Sequence, residues 1–205
     1  MKKKKVLIIN NEPKRDSFGG IPEINKALAE ASPAPVRTEV IHFKDIHLED
    51  IKNSDISHII LSGRNSTYWD PAELPLFADE LELIREARRP LLGICAGHQM
   101  IGLAYGAQWV PIDDGVVEEG FHAVKLHDKD PLFSGLPGSF NVYQYHKYHI
   151  PVLPQEVKIL ASNDLCPVQA MRSRQRPVYG VQFHPEKNVG NNFFGVTILR
   201  NFLNL

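Results

Sequence analysis

Cysteine is scarce in this chain: Cys95 and Cys166 are the only two among 205 residues. Two thiols suggest no disulfide framework, and a reducing compartment suits a chain that keeps a working thiol free. Long apolar runs are also missing. Val6–Ile9, behind the lysines at 2–5, is far too short for a signal-peptide core or a membrane span. The chain is therefore expected to stay in the cytoplasm and off membranes. Neither sign of charge dominates, with 23 Lys and Arg against 24 Asp and Glu, so there is no footprint for nucleic acid. The lysine run reads as the solvated start of a strand. No internal repeat, low-complexity tract or long linker interrupts the sequence. No phosphate-cradling Gly-Lys-Ser/Thr loop or dinucleotide fingerprint occurs, which argues against ATP or NAD, and no cofactor is expected. Nine histidines are present, yet neither His146-x-x-His149 nor His122-x4-His127 has a cysteine or carboxylate at a recognised metal spacing. No metal site is expected.

What is present suits one compact domain, residues 1–205, because 43% apolar residues at this length supply a sizeable core. Val6–Ile9, Val36–Phe43 and His58–Leu61 read as strands, with a helix over Pro22–Ala31 between the first two. Leu74–Arg89 carries Leu74, Phe77, Leu81 and Ile84 at helical spacing and stops before Pro90. Leu91–Ile94 is a short strand and Gly97–Tyr105 a helix, with Gly106 at its end. Such alternation predicts an α/β fold: a mainly parallel central sheet flanked by helices. The second half changes character. Gln108–Ile112, Gly120–Leu126, Phe140–Tyr145, Val157–Ala161, Val168–Met171 and Val178–Phe183 are strand-like, predicting an additional small antiparallel region. Gly195–Leu203 reads as a closing helix, and the acidic segment Asp113–Glu119 as a mobile surface turn.

The run Leu91-Leu92-Gly93-Ile94-Cys95-Ala96-Gly97-His98-Gln99 carries the chemistry. An apolar strand enters a Gly-x-Cys-x-Gly turn and leaves it as helix, the layout of a nucleophile elbow with sulfur in place of oxygen. Gly93 and Gly97 remove the Cβ atoms that would clash in so sharp a turn. The helix would direct its positive end at Cys95 and favour the thiolate.

A thiol nucleophile needs a base, and the base needs a group to fix its ring. Tyr179-Gly180-Val181-Gln182-Phe183-His184-Pro185-Glu186 supplies both. Pro185 biases His184 towards an extended backbone, where residues i and i+2 point to one side, so Glu186 can reach the imidazole. Cys166, before Pro167 and without a glycine turn or base, reads as structural, and His98 as a packed histidine.

Gly93–Gln99 and Gly180–Glu186 together resemble the two signature blocks of the class I, triad-type glutamine amidotransferases, Gly-x-Cys-x-Gly-His-Gln and Gly-Val-Gln-x-His-Pro-Glu. Ile59–Gly63 is similar to that family's strand and glycine turn, and Tyr145–Tyr148 to its substrate-gripping segment. The resemblance runs from Val6 to the closing helix. It implies glutamine hydrolysis through a γ-glutamyl thioester, with Cys95 as nucleophile, His184 as acid and base and Glu186 as its orienter. It further implies that the Gly63 and Ala96 amides hold the oxyanion. Gln99, His146, Lys147 and Tyr148 would then bind L-glutamine, and ammonia would pass to a synthetase on another chain.

One departure stands out. The family continues its third block as Gly-Gly-Pro, whereas here it reads Gly63-Arg64-Asn65-Ser66. Arginine resists turns that glycine permits, so the oxyanion amide could need a switch, or Arg64 could meet a partner or an acidic substrate group. Tyr68, Trp69 and Asp70 follow, as pocket wall or loop anchors. Two other readings stay open: a γ-glutamyl hydrolase-type thiol hydrolase, and a catalytically weak regulatory chain that binds glutamine.

Overall fold

The computed structural model describes residues 4–65, 71–187 and 193–205. Its first half contains β1 (Lys4–Asn10), α1 (Ile21–Ala31), β2 (Val36–His42), α2 (Leu48–Asn53), β3 (His58–Leu61), α3 (Ala78–Glu86), β4 (Leu91–Ile94) and α4 (Ala96–Ala104). The second half contains β5 (Val110–Pro111), β6 (Glu118–Leu126), β7 (Ser139–His146), β8 (Tyr148–His149), β9 (Val157–Ser162), β10 (Ala170–Ser173), β11 (Val178–Val181) and α5 (Phe194–Leu203).

Successive side chains of a strand point to opposite faces, and here both faces are apolar. Val6 and Ile8 of β1 enter one buried cluster and Leu7 and Ile9 the other; Ile60 of β3 is likewise separated from Ile59 and Leu61. Strands buried on both faces are the mark of a parallel sheet covered by helices. Helices α1 and α5 supply the first cluster, α3 and α4 the second.

The sheet has nine strands in the order β2-β1-β3-β4-β11-β10-β9-β6-β7. From β2 to β11 every pairing is parallel; from β11 to β7 every pairing is antiparallel. The antiparallel strands therefore extend the main sheet, and a separate two-stranded ribbon joins β5 to β8. Because β11 lies beside β4, the ends of these two strands meet although their sequences are far apart.

Several expectations need correction. The helical pattern over Leu74–Arg89 divides into a 3₁₀ turn, Pro71–Phe77, and α3; Pro75 lacks the N–H that an α-helix would need there. The strand expected over Gln108–Ile112 shrinks to Val110–Pro111. Asp113–Glu119 is not a mobile surface turn throughout: only Asp113–Gly115 turns, and Glu118 is buried at the start of β6. The lysines at 2 and 3, Ser66, and Tyr68, Trp69 and Asp70 lie outside the described residues. Among the described residues, no helix is long and apolar enough to cross a membrane.

Candidate active site

The turn between β4 and α4 is as tight as its glycines suggest. A Cβ added to Gly93 would stand 2.5 Å from the Gly97 carbonyl carbon, and one added to Gly97 would stand 2.5 Å from the Leu61 oxygen. Cys95 takes φ 49° and ψ −100°. It is the one non-glycine residue with positive φ among the described residues, a strain on the order of 1–3 kcal/mol that surrounding contacts must hold. They do so from both sides: the Cys95 N–H donates to the Val181 carbonyl at 2.9 Å, and the Cys95 carbonyl accepts from the Gln99 N–H at 3.1 Å. The sulfur is thus set at the end of β4 and at the start of α4, where the first amides have no acceptor inside the helix. Their N–H groups carry the partial positive charge of the helix start.

His184 arrives from the next strand over. Its backbone N–H donates to the Tyr143 carbonyl at 2.8 Å, fastening it to β7. Its Nδ1 lies 2.6 Å from Glu186 Oε1, so Nδ1 carries the proton and the carboxylate accepts it. Both side chains are almost wholly buried. Burial opposes charge on the ring, but the Glu186 carboxylate and then Cys95 outweigh it, raising the His184 pKa to about 10. The site favours an imidazolium beside the sulfur.

Gly63 closes the third side. A Cβ there would stand 3.1 Å from His184 Cε1 and 3.6 Å from Cys95 Cβ. Its carbonyl accepts from Ser62 Oγ at 2.9 Å, while its amide donates to no group among the described residues. Arg64, the departure in this block, is buried. It does not take the positive φ of a glycine turn, and its guanidinium, 4% exposed, is paired with Glu73 at 2.6 Å.

The four residues expected to grip substrate are brought together, but not all face the sulfur. Gln99 is buried and donates from Nε2 to the Tyr148 carbonyl at 3.1 Å and to Gln182 Oε1 at 3.2 Å. His146 is buried too, with Nδ1 donating to the same carbonyl at 3.0 Å and Nε2 2.9 Å from Glu118. Their side chains therefore brace the backbone of Tyr145–Tyr148. Lys147 is exposed, and its carbonyl accepts from Ile112 N–H at 2.8 Å.

Two neighbours, Gln182 and Glu118, have no role in the sequence reading. Gln182 Nε2 donates to Cys95 Sγ at 3.7 Å, and the sulfur lies 3.8 Å from the Tyr145 carbonyl. A glutamine inside an apolar run, two residues before His184, is the signal that could have singled out Gln182. Glu118 had no such signal. Its carboxylate is met by His146, Asn163 and Gln169, all distant in sequence. Burial opposes the charge of Glu118, yet the contacts with His146 and Asn163 hold its pKa below the ordinary value.

His98 is fully buried against Gly180, and burial lowers its pKa to about 3, which leaves it neutral and packed. Cys166 is buried as well, its thiol pushed up to about 12 by burial. A cavity of about 570 Å³ opens at the other end of the strands, lined by Leu48, Ile51, Ile59, Leu83 and Arg176 among others, and holds no nucleophile.

A doubly covered α/β sheet that carries a cysteine on a strained strand-to-helix turn, beside a buried histidine–carboxylate pair, defines a class of thiol-dependent α/β proteins. The sequence profile of "Glutamine amidotransferase class-I" matches residues 22–205. The chain belongs to that family. Among its relatives is the glutamine-hydrolyzing GMP synthase subunit of Methanocaldococcus jannaschii, 36% identical over 76% of this chain and 77% of that protein. The protein of the same name from Pyrococcus abyssi is 37% identical over 77% and 80%. A crystal structure of a candidate GMP synthase subunit from Thermoplasma acidophilum superposes with a TM-score of 0.79, at 27% identity over 100% of this chain and 94% of that one.

Proposed function

We propose that this chain hydrolyses L-glutamine to glutamate and ammonia and passes the ammonia to a synthetase on a separate chain, of the GMP synthase type. The observation that carries the reading is Cys95 on its strained elbow beside the His184–Glu186 pair. The thiolate of Cys95 attacks the side-chain carboxamide carbon of glutamine. The amides of Gly63 and Ala96 receive the oxyanion, each donor contributing about 3–4 kcal/mol. His184 gives its proton to the departing nitrogen, and ammonia leaves as the γ-glutamyl thioester forms. His184 then takes a proton from water as that water attacks the thioester, freeing glutamate and the thiolate. Glu186 orients the ring and stabilises its cationic form. Gln99, His146, Lys147 and Tyr148 serve substrate binding through the backbone they present. No cofactor or metal takes part in these steps.

The relatives' names support the acceptor. We expect the protein in the cytoplasm, where a nucleophilic thiol stays reduced. A γ-glutamyl hydrolase-type thiol hydrolase would need a pocket open on the leaving-group side, and Arg64, buried against Glu73, does not favour that reading. The test is direct. Purified protein releases glutamate from glutamine, and Cys95→Ala abolishes the release along with labelling by an electrophilic glutamine analogue. Retained turnover in Cys95→Ala overturns the assignment of the nucleophile.

A further inference from the structure

The loop that carries Gly63 is held by contacts that no signature block accounts for. The Ser62 carbonyl accepts from Asn11 Nδ2 at 3.2 Å. Because a trans peptide directs its C=O and N–H to opposite sides, this bond turns the Gly63 N–H away from Asn11. The same Asn11 side chain is itself tied to the buried Glu80 at 3.2 Å. Downstream, the Asn65 N–H donates to the buried Glu12 carboxylate at 2.8 Å. Between these anchors lies Arg64, buried and paired with Glu73.

A buried guanidinium is a costly choice for a loop position, since the charge must be stripped of water and repaired by its partner. Placed next to a glycine, it answers a specific need. Gly63 has no Cβ to restrict its backbone and can turn its peptide at little cost, and Arg64-Asn65 adds no proline to stiffen the segment. An ion pair one residue on restricts that rotation from outside the turn.

We propose that the Arg64–Glu73 ion pair is a positioning device that aims the Gly63 amide at the oxyanion, doing by charge pairing what backbone restriction alone does not do in this loop. The inference rests on the glutamine-hydrolysing reading above. Arg64 and Glu73 are positioning residues: they touch no reacting atom and act through Gly63. Loss of the pair leaves Cys95, His184 and Glu186 in place but lets the amide wander, and displacement of this kind costs about 10²-fold in rate.

The experiment compares kcat and KM for glutamine with the rate of Cys95 alkylation by iodoacetamide, a displacement at carbon that needs no oxyanion donor. Arg64→Met and Glu73→Gln are expected to lose about 10- to 100-fold in kcat, with KM and alkylation within about threefold of the parent protein. Arg64→Lys, which keeps the charge but not the forked geometry, regains part of the loss. Unchanged kcat in both Arg64→Met and Glu73→Gln, in a protein that hydrolyses glutamine, overturns the inference. So does a parallel fall in alkylation, which would place the damage at the elbow. A parent protein that hydrolyses no glutamine, alone or with a GMP synthase-type synthetase chain added, yet is alkylated at Cys95, overturns the functional reading itself and this inference with it.

Discussion

Cys95 and His184 are individually ordinary residue types set apart by where their neighbours stand. The cysteine occupies a backbone conformation that only its anchors at Val181 and Gln99 sustain. The histidine is buried, yet the Glu186 carboxylate lifts its pKa to about 10. That shift has a stability consequence with a definite sign. The folded pKa lies above the unfolded value of about 6.5, so proton binding favours the folded chain, fully below pH 6.5 and progressively less as pH climbs towards 10. The melting temperature is therefore expected to fall across that window. Glu186→Gln removes the chief cause of the shift and flattens this stretch of the profile; an unchanged slope would remove Glu186 as the cause. At this scale the histidine and its carboxylate were legible because Pro185 and their i, i+2 spacing are local. Gln182 was half legible, as a polar residue inside an apolar run. Glu118 was not legible, since a buried carboxylate looks like any other acid until its distant partners are known.

The decisive element is the β4–turn–α4 unit. Its two glycines are small because backbone from Gly97 and Leu61 occupies the space a side chain would need. Gly97→Ala, whose Cβ would press on the Leu61 carbonyl rather than on a movable side chain, is expected to destabilise the protein by about 3 kcal/mol and to displace Cys95. A denaturant titration with glutaminase activity measured alongside checks both, and a variant of parental stability and activity would show that the turn can relax. Elsewhere, element type was easier to read than extent. The repeating apolar spacing at Leu74–Arg89 is real, but Pro75 limits the α-helix to Ala78–Glu86. The strand at Gly120–Leu126 starts two residues earlier, at Glu118, because Glu118 and Glu119 pair in register with His146 and Tyr145 of β7, a partner their own segment does not reveal.

On the scale of the molecule, the parallel part of the sheet decides where chemistry happens. The ends of β3, β4 and β11 present Gly63, Cys95 and His184 together, at the carboxyl edge where open α/β sheets place ligands. Cys95 and His184 are both more than nine-tenths buried, and a docked partner that opens the site would speed the entry of glutamine. If a separate synthetase supplies that contact, adding a GMP synthase-type synthetase chain that lacks its own glutaminase should raise kcat/KM for glutamine by tenfold or more. An unchanged rate in a mixture shown to form a complex would discard partner activation.

Sequence alone determined the class of fold, the strand-to-helix elbow, the cysteine, the histidine with its carboxylate and the family they resemble, because each depends on residues adjacent in the chain or on a short period. It could not decide how the loop that carries Gly63 is held. Gly63-Arg64-Asn65 read as a departure that put its geometry in doubt, and the answer lay with Asn11, Glu12 and Glu73, residues brought in by β1 and the turn before α3. Nor could it show that Gln99 and His146 spend their side chains on the Tyr148 carbonyl. Local pattern specifies which groups are available. Only the packing of distant strands decides which of them meet, because a hydrogen bond or a buried charge pair requires its partner within about 3 Å, whatever their separation in sequence.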